Sequence, residues 1–298
     1  MQLAAVVQAL NLARYFAFAA TTIAVYDWIL LLGKEVELVG NARMSIGKAL
    51  FYLVRITTIP GLLCGAYTLS PLRARLNQDV CNMFLWISPI LCLLSIFISY
   101  WLLTIRVVVL YPWSPLVKIV LYISLGACYL TSFGVLLSCL HGLSRDATYV
   151  QLVDLCMPTG LSSRISIVFE APLVFEGLMF AALIYRAAVD LQSRGSLTML
   201  PLFRVLYRDG ILFFVIMTST RIWNIYKYVD RPIYEALEGL YIMWSIVSVL
   251  SCRIYINIIC AVQKPLQAGS RSQSSSRREQ SYSLWEFKPP RMSNSVQV

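Results

Sequence analysis

Tyr26–Arg55 reads YDWILLLGKEVELVGNARMSIGKALFYLVR: an aspartate inside one apolar run, an arginine inside the next, and a short charged loop between them. An ionisable side chain at membrane depth costs at least ~2.5 kcal/mol unless it finds a partner or water, so both charges need an explanation. Asp27 lies six residues before Gly33 and Arg55 seven after Lys48. At 1.5 Å per residue this puts both roughly 9–11 Å inside the same boundary, on consecutive antiparallel helices. The expectation is an Asp27 to Arg55 ion pair locking the first helical hairpin. The competing expectation is that Arg55 snorkels to the headgroups on its own.

The surroundings of this stretch support a membrane reading. The chain has 298 residues, 58% of them hydrophobic and 13% charged, with a mean hydropathy of +0.69; soluble domains are about a quarter charged. Its apolar residues gather in runs of about 20, the length that crosses a hydrocarbon core about 30 Å thick. Seven such runs predict an all-α, polytopic helical bundle, with spans at about 11–32, 49–69, 83–106, 116–137, 166–189, 209–228 and 237–259. The first lacks a small-residue cleavage site after a basic region and is expected to stay as an anchor. Pro60-Gly61 predicts a kink in the second. Residues 1–262 then form the transmembrane domain. The tail from 263 to 298, rich in Ser, Arg and Gln, is too polar to fold and is expected to be disordered.

An odd number of spans puts the two ends on opposite sides, and the basic residues decide which is which. Loops one, three and five together with the tail collect sixteen of the 25 Lys and Arg residues, against seven on the other side, with Arg55 and Arg221 inside the membrane. The N-terminus is expected outside and the C-terminus in the cytoplasm, which makes Glu35 and Glu37 residues of a cytoplasmic loop.

Further charges fall inside the runs. Glu176 with Arg221, near mid-bilayer on spans five and six, and Asp209 with Arg253, at the cytoplasmic ends of spans six and seven, are the second and third expected pairs. Structural pairing is favoured over a ligand or proton path for all three. On the outer side Cys81 begins the third helix, while Cys139 and Cys156 lie in or beside the loop after the fourth. These three are candidate disulfide cysteines, with the connectivity open. The other cysteines read as small apolar packing residues.

Several function classes are excluded by pattern. The net charge of +10 is spread between apolar runs and in the tail, not on one face, which argues against nucleic acid. One histidine, His141, argues against a His-based metal centre, and HExxH, GxSxG, GxGxxG and Walker A sequences are absent. The chain is therefore expected to be no enzyme and to need no cofactor or metal. The last run holds no lysine for a retinal Schiff base. Arg106, in TIRVVVLY, has no acidic residue before it, and NPxxY does not occur in the seventh span.

YDWILLLGKEVELV, with KALFYLVR after it, resembles the N-terminal signature of a family of basidiomycete fungal multi-span membrane proteins known only as the domain of unknown function 6533 family. LYRDGILFF, Leu206–Phe214, resembles a later block of the same proteins. Asp27, Glu35, Arg55 and Asp209-Gly210 match; Gly40 and Ile56 depart, standing where tryptophan and tyrosine are expected. The resemblance implies a membrane location and no particular activity. Two functions are then weighed: a seven-span receptor-like sensor of unknown ligand, and a membrane scaffold or small-solute or ion transporter. For the first, the bilayer and a cytoplasmic signalling partner at residues 186–208 and the tail are the expected partners. The location is a multi-pass protein of the plasma membrane or an endomembrane.

Overall fold

The computed structural model describes residues 2–40, 45–70, 78–150, 155–158, 163–194, 201–230 and 238–260. A long apolar segment in lipid must satisfy its own backbone, so each apolar run closes into a helix. In chain order these are α1 (Gln2–Lys34), α2 (Ile46–Leu69), α3 (Gln78–Val109), α4 (Pro115–Asp146), α5 (Ile167–Arg194), α6 (Pro201–Asp230) and α7 (Glu238–Cys260). Among the described residues six of them, all but α6, are long and apolar enough to cross a membrane. The chain is an integral membrane protein. On α6 the apolar run is diluted by Arg221, Asn224 and Lys227, of which Arg221 and Asn224 are buried against neighbouring helices.

Side-chain contacts fix the directions. Gly47, Gly61 and Gly65 of α2 meet Tyr255, Trp244 and Tyr241 of α7 in reverse order, so these two helices are antiparallel. Ser245 of α7 donates to the Ala20 carbonyl of α1, and Arg253 reaches Asp27; both partners advance by two turns, so α1 and α7 are parallel. The hydroxyl of Ser132 on α4 donates to the Val168 carbonyl at the start of α5, and Asn224 of α6 donates to the Gly239 carbonyl of α7. Helices consecutive in the chain therefore alternate in direction, and α1 and α7 meet as a parallel pair.

The packing follows from residue size. Ala13, Ala17, Ala20 and Ala24 recur at spacings of four and three and are buried. This stripe of small residues lets backbones approach closely where lipid offers no hydrophobic drive. Gly61 and Gly65 do the same on α2: a Cβ at Gly61 would lie 2.3 Å from Cη2 of Trp244, and one at Gly65 2.4 Å from Cε1 of Tyr241. The core around them is aromatic, with Tyr100, Phe175, Phe213 and Trp244 fully buried. On the opposite faces Tyr26, Ile29, Ile56, Ile123 and Leu130 are all more than 60% exposed, which in a membrane is a lipid-facing shell.

The structure amends the expected layout in several places. The first loop begins with a π-helical turn, Glu35–Gly40, which prolongs α1. The segment after span four is not all loop: α4 runs on to Asp146, and an antiparallel hairpin follows, β1 (Ala147–Val150) with β2 (Leu155–Pro158), then a 3-10 turn, Ser163–Ser166. The fold is thus helical with one added hairpin, which contacts α3 and α4, while the 3-10 turn touches α4, α5 and α6. Within the basic segment 186–208, α5 extends to Arg194 and α6 starts at Pro201. The tail lies outside the described residues.

Candidate functional site

A buried polar centre stands where α3, α5 and α6 meet. Arg221 of α6 donates through Nε to Glu176 Oε1 of α5 at 2.6 Å, and the two side chains are 2% and 1% exposed. The Tyr100 hydroxyl of α3 donates to the same carboxylate oxygen, and Thr218, one turn before Arg221, reaches Glu176 Oε2 at 3.4 Å. The guanidinium lies over the Tyr100 ring, 5.7 Å from its centroid. In so dry a place the charges are held by each other and by these hydrogen bonds, because either one alone would be strongly unfavourable.

Beside this centre is a cavity of about 50 Å³. Arg221 lines it, together with apolar side chains of α3 (Leu93, Ile96), α4 (Leu136), α5 (Phe169) and α7 (Met243). Pro89, Ile165, Tyr228 and Leu240 also border it. All four lie toward the start of α3 and α7, the end of α6 and the turn before α5. The cavity therefore opens from the central pair toward the end of the bundle that carries the hairpin and the 3-10 turn.

At the opposite end the charges pair differently from the sequence expectation. Asp27 does not meet Arg55: its Oδ1 accepts from Arg253 Nε of α7 at 2.5 Å. Arg55 instead lies 3.7 Å from Glu35 in the π-helical turn and over the Phe51 ring at 5.4 Å. Equal depth on two helices leaves the rotation about each axis open. Asp27 continues the alanine stripe, three residues beyond Ala24, and so belongs to the face shared with α7. Of the expected Asp209 to Arg253 pair, Arg253 is engaged by Asp27 through Nε, and the Asp209 side chain lies outside the described residues. Of the three expected pairs, the structure brings together Glu176 and Arg221.

The remaining candidates are placed as follows. Cys81 is disulfide-bonded and Cys139 is a free thiol, so Cys139 leaves the set; the Cys156 side chain lies outside the described residues. Glu37 is exposed. Cys64, expected in packing, is exposed on α2. Among the described residues no group of three or more His, Cys, Asp or Glu is placed to hold a metal ion.

Several contributors had no clear sequence signal. Tyr100 is one apolar-looking residue in a long run, and only the contact with Glu176 gives it a role. Lys227 pairs with Glu238 at 2.8 Å across the α6–α7 connection, a proximity visible only once that turn is closed. Arg186 and Asp190, 3.1 Å apart, had the four-residue spacing of a helical pair and were legible. At the α3–α4 turn, burial raises the Tyr111 hydroxyl above its ordinary pKa of 10.0, with nearby Arg186 opposing the shift; the neutral hydroxyl donates to the Ala182 carbonyl at 2.7 Å and ties that turn to α5.

The charged hairpin at the N-terminal end can now be compared with known proteins. Residues 15–60 match a family of unknown function (DUF6533). The match runs from Tyr15 in α1 to Pro60 in α2, so the DUF6533 segment contains both partners of the Glu35 to Arg55 contact but only one of the Asp27 to Arg253 pair. It stops one residue short of Gly61 and holds none of the residues of the central pair or its cavity. No curated protein and no solved structure matches the chain.

Proposed function

We propose that this protein is a seven-span, receptor-like sensor of a multi-pass membrane, plasma membrane or endomembrane, with its N-terminus outside and its tail in the cytoplasm. The supporting observation is the cavity beside Arg221, walled by five helices and lying toward the hairpin end. Under the positive-inside reading that end faces outward. A ligand there would touch α3, α5, α6 and α7 together, and the other ends of α5 and α6 carry the basic residues of the 186–208 segment on the cytoplasmic side. The role needs no catalysis and no cofactor.

The transport reading draws on the same intramembrane charges, yet Glu176 and Arg221 neutralise each other and the cavity walls are almost wholly apolar. Selection of an ion or polar solute is made by the carbonyls or charged side chains that line its path, and this cavity offers almost none. The deciding experiment is co-purification of a cytoplasmic partner with the full chain, with a chain truncated after residue 262, and with Arg204→Gln/Arg208→Gln. Partner capture lost in either variant supports the sensor. Solute or ion flux in reconstituted vesicles, abolished by Glu176→Gln with no partner captured, overturns it.

A further inference from the structure

Arg253 stands on the face of α7 that looks away from the bundle. Among the described residues of this helix only Arg253 and Asn257 are exposed. Ile242, Ile246 and Val249, at helical spacings before Arg253, are partly exposed on the same face. The candidate span ends at Cys260, so at 1.5 Å per residue Arg253 starts about 10 Å inside the boundary. A guanidinium exposed to lipid at that depth is costly unless it is paired and its free edge reaches the headgroups. One edge is paired, because Nε donates to Asp27 Oδ1. Half of the side chain remains exposed, and among the described residues the bond to Asp27 is the hydrogen bond it makes.

A second cation lies on the neighbouring helix. Lys34 ends α1 and is exposed. It follows Asp27 by two helical turns, hence on nearly the same face and about 10 Å nearer the boundary. Because α1 and α7 run parallel where Arg253 meets Asp27, the two cations line one groove, with Arg253 below headgroup level and Lys34 near it. Ile23 and Leu30, one turn to either side of Asp27, are 46% and 53% exposed and flank the groove with hydrocarbon. Asp27 offsets Arg253, and Glu35 is turned to Arg55. Among the described residues Lys34 has no ion pair.

We infer that the groove between α1 and α7 binds one anionic phospholipid, its phosphate on the outer edge of Arg253 and on Lys34, its acyl chains along Ile23, Leu30, Ile246 and Val249. A guanidinium fork matches two phosphate oxygens while its Nε stays with Asp27. Lys34 selects net negative charge, since a zwitterionic headgroup would bring its own ammonium against the lysine. Under the positive-inside reading this end faces the leaflet that carries anionic lipid. The site is separate from the cavity beside Arg221 and does not rest on the sensor reading.

The test uses the full chain, with phosphatidylglycerol and phosphatidylcholine of identical acyl chains as competing probes and glycerol phosphate as the free headgroup. Native mass spectrometry counts the lipid retained, and the rise in Tm on adding each lipid gives a second readout. Phosphatidylglycerol should be retained about fivefold over phosphatidylcholine, the value of one basic residue at an anionic headgroup. Lys34→Gln alters an exposed side chain and should remove that preference while leaving the Tm in phosphatidylcholine unchanged. Arg253→Lys keeps a charge opposite Asp27, loses the fork, and should weaken retention of both lipids. Lys118→Gln, a lysine on α4, should change nothing and separates a site from general attraction to basic residues. Equal retention of the two lipids, a preference that survives Lys34→Gln, an equal loss in Lys118→Gln, or competition by glycerol phosphate as strong as that by the intact lipid overturns the inference.

Discussion

Glu176 and Arg221 show how far a single pair can govern a membrane interior. Each is almost fully buried, and the hydroxyls of Tyr100 and Thr218 complete the carboxylate's partners. Glu176→Gln leaves the guanidinium buried without a counter-charge and should destabilise the bundle by about 3–5 kcal/mol, whereas Glu176→Leu/Arg221→Met removes both charges and should cost far less. Unfolding from mixed micelles, followed by helical circular dichroism, measures both; equal losses in the two variants would mean that packing, not charge, holds this site. For Asp27 the informative measurement is a double-mutant cycle. Asp27→Asn and Arg253→Leu should couple by about 1 kcal/mol, a modest value because Arg253 is half exposed. Asp27→Asn and Arg55→Leu should be additive, and significant coupling between those two would restore the pairing expected from depth alone.

Helix packing turns on a few positions where side chains are missing. Gly61 and Gly65 stand four apart on α2, the spacing of small residues that admits close helix contact, and Trp244, which is fully buried, fills the space at Gly61. Gly61→Ala would drive a methyl group into the indole, and a buried ring has nowhere to retreat, so a loss of about 1–3 kcal/mol is expected. Gly126 on α4 has nothing within 4 Å of an added Cβ, so Gly126→Ala should be neutral or slightly stabilising through helix propensity. Thermal unfolding of both variants separates close packing from a general intolerance of substitution. The alanine stripe on α1 belongs to the same device. Its spacing is visible in the sequence, but which neighbour it faces is decided by the Ser245 to Ala20 hydrogen bond and the Arg253 to Asp27 pair.

Taken whole, the molecule is a bundle in which helices consecutive in the chain alternate in direction. If the orientation proposed above holds, a glycosylation acceptor engineered beside Arg145 should be modified on expression in microsomes, and one in the tail should not. The opposite pattern would invert the protein, and with it the side from which the cavity is approached. The same scale shows what the amino-acid sequence by itself determined: a membrane location, the helices, and the charges that have to be neutralised. These are local quantities, set by run length and by the cost of dehydrating a charge. The tertiary structure alone decided that Asp27 turns to α7, that Arg55 turns to Glu35, that Tyr100 joins the central carboxylate, and that a cavity remains next to Arg221. Run length specifies depth along a helix, but rotation about its axis and the identity of its neighbour are set only when the helices pack together.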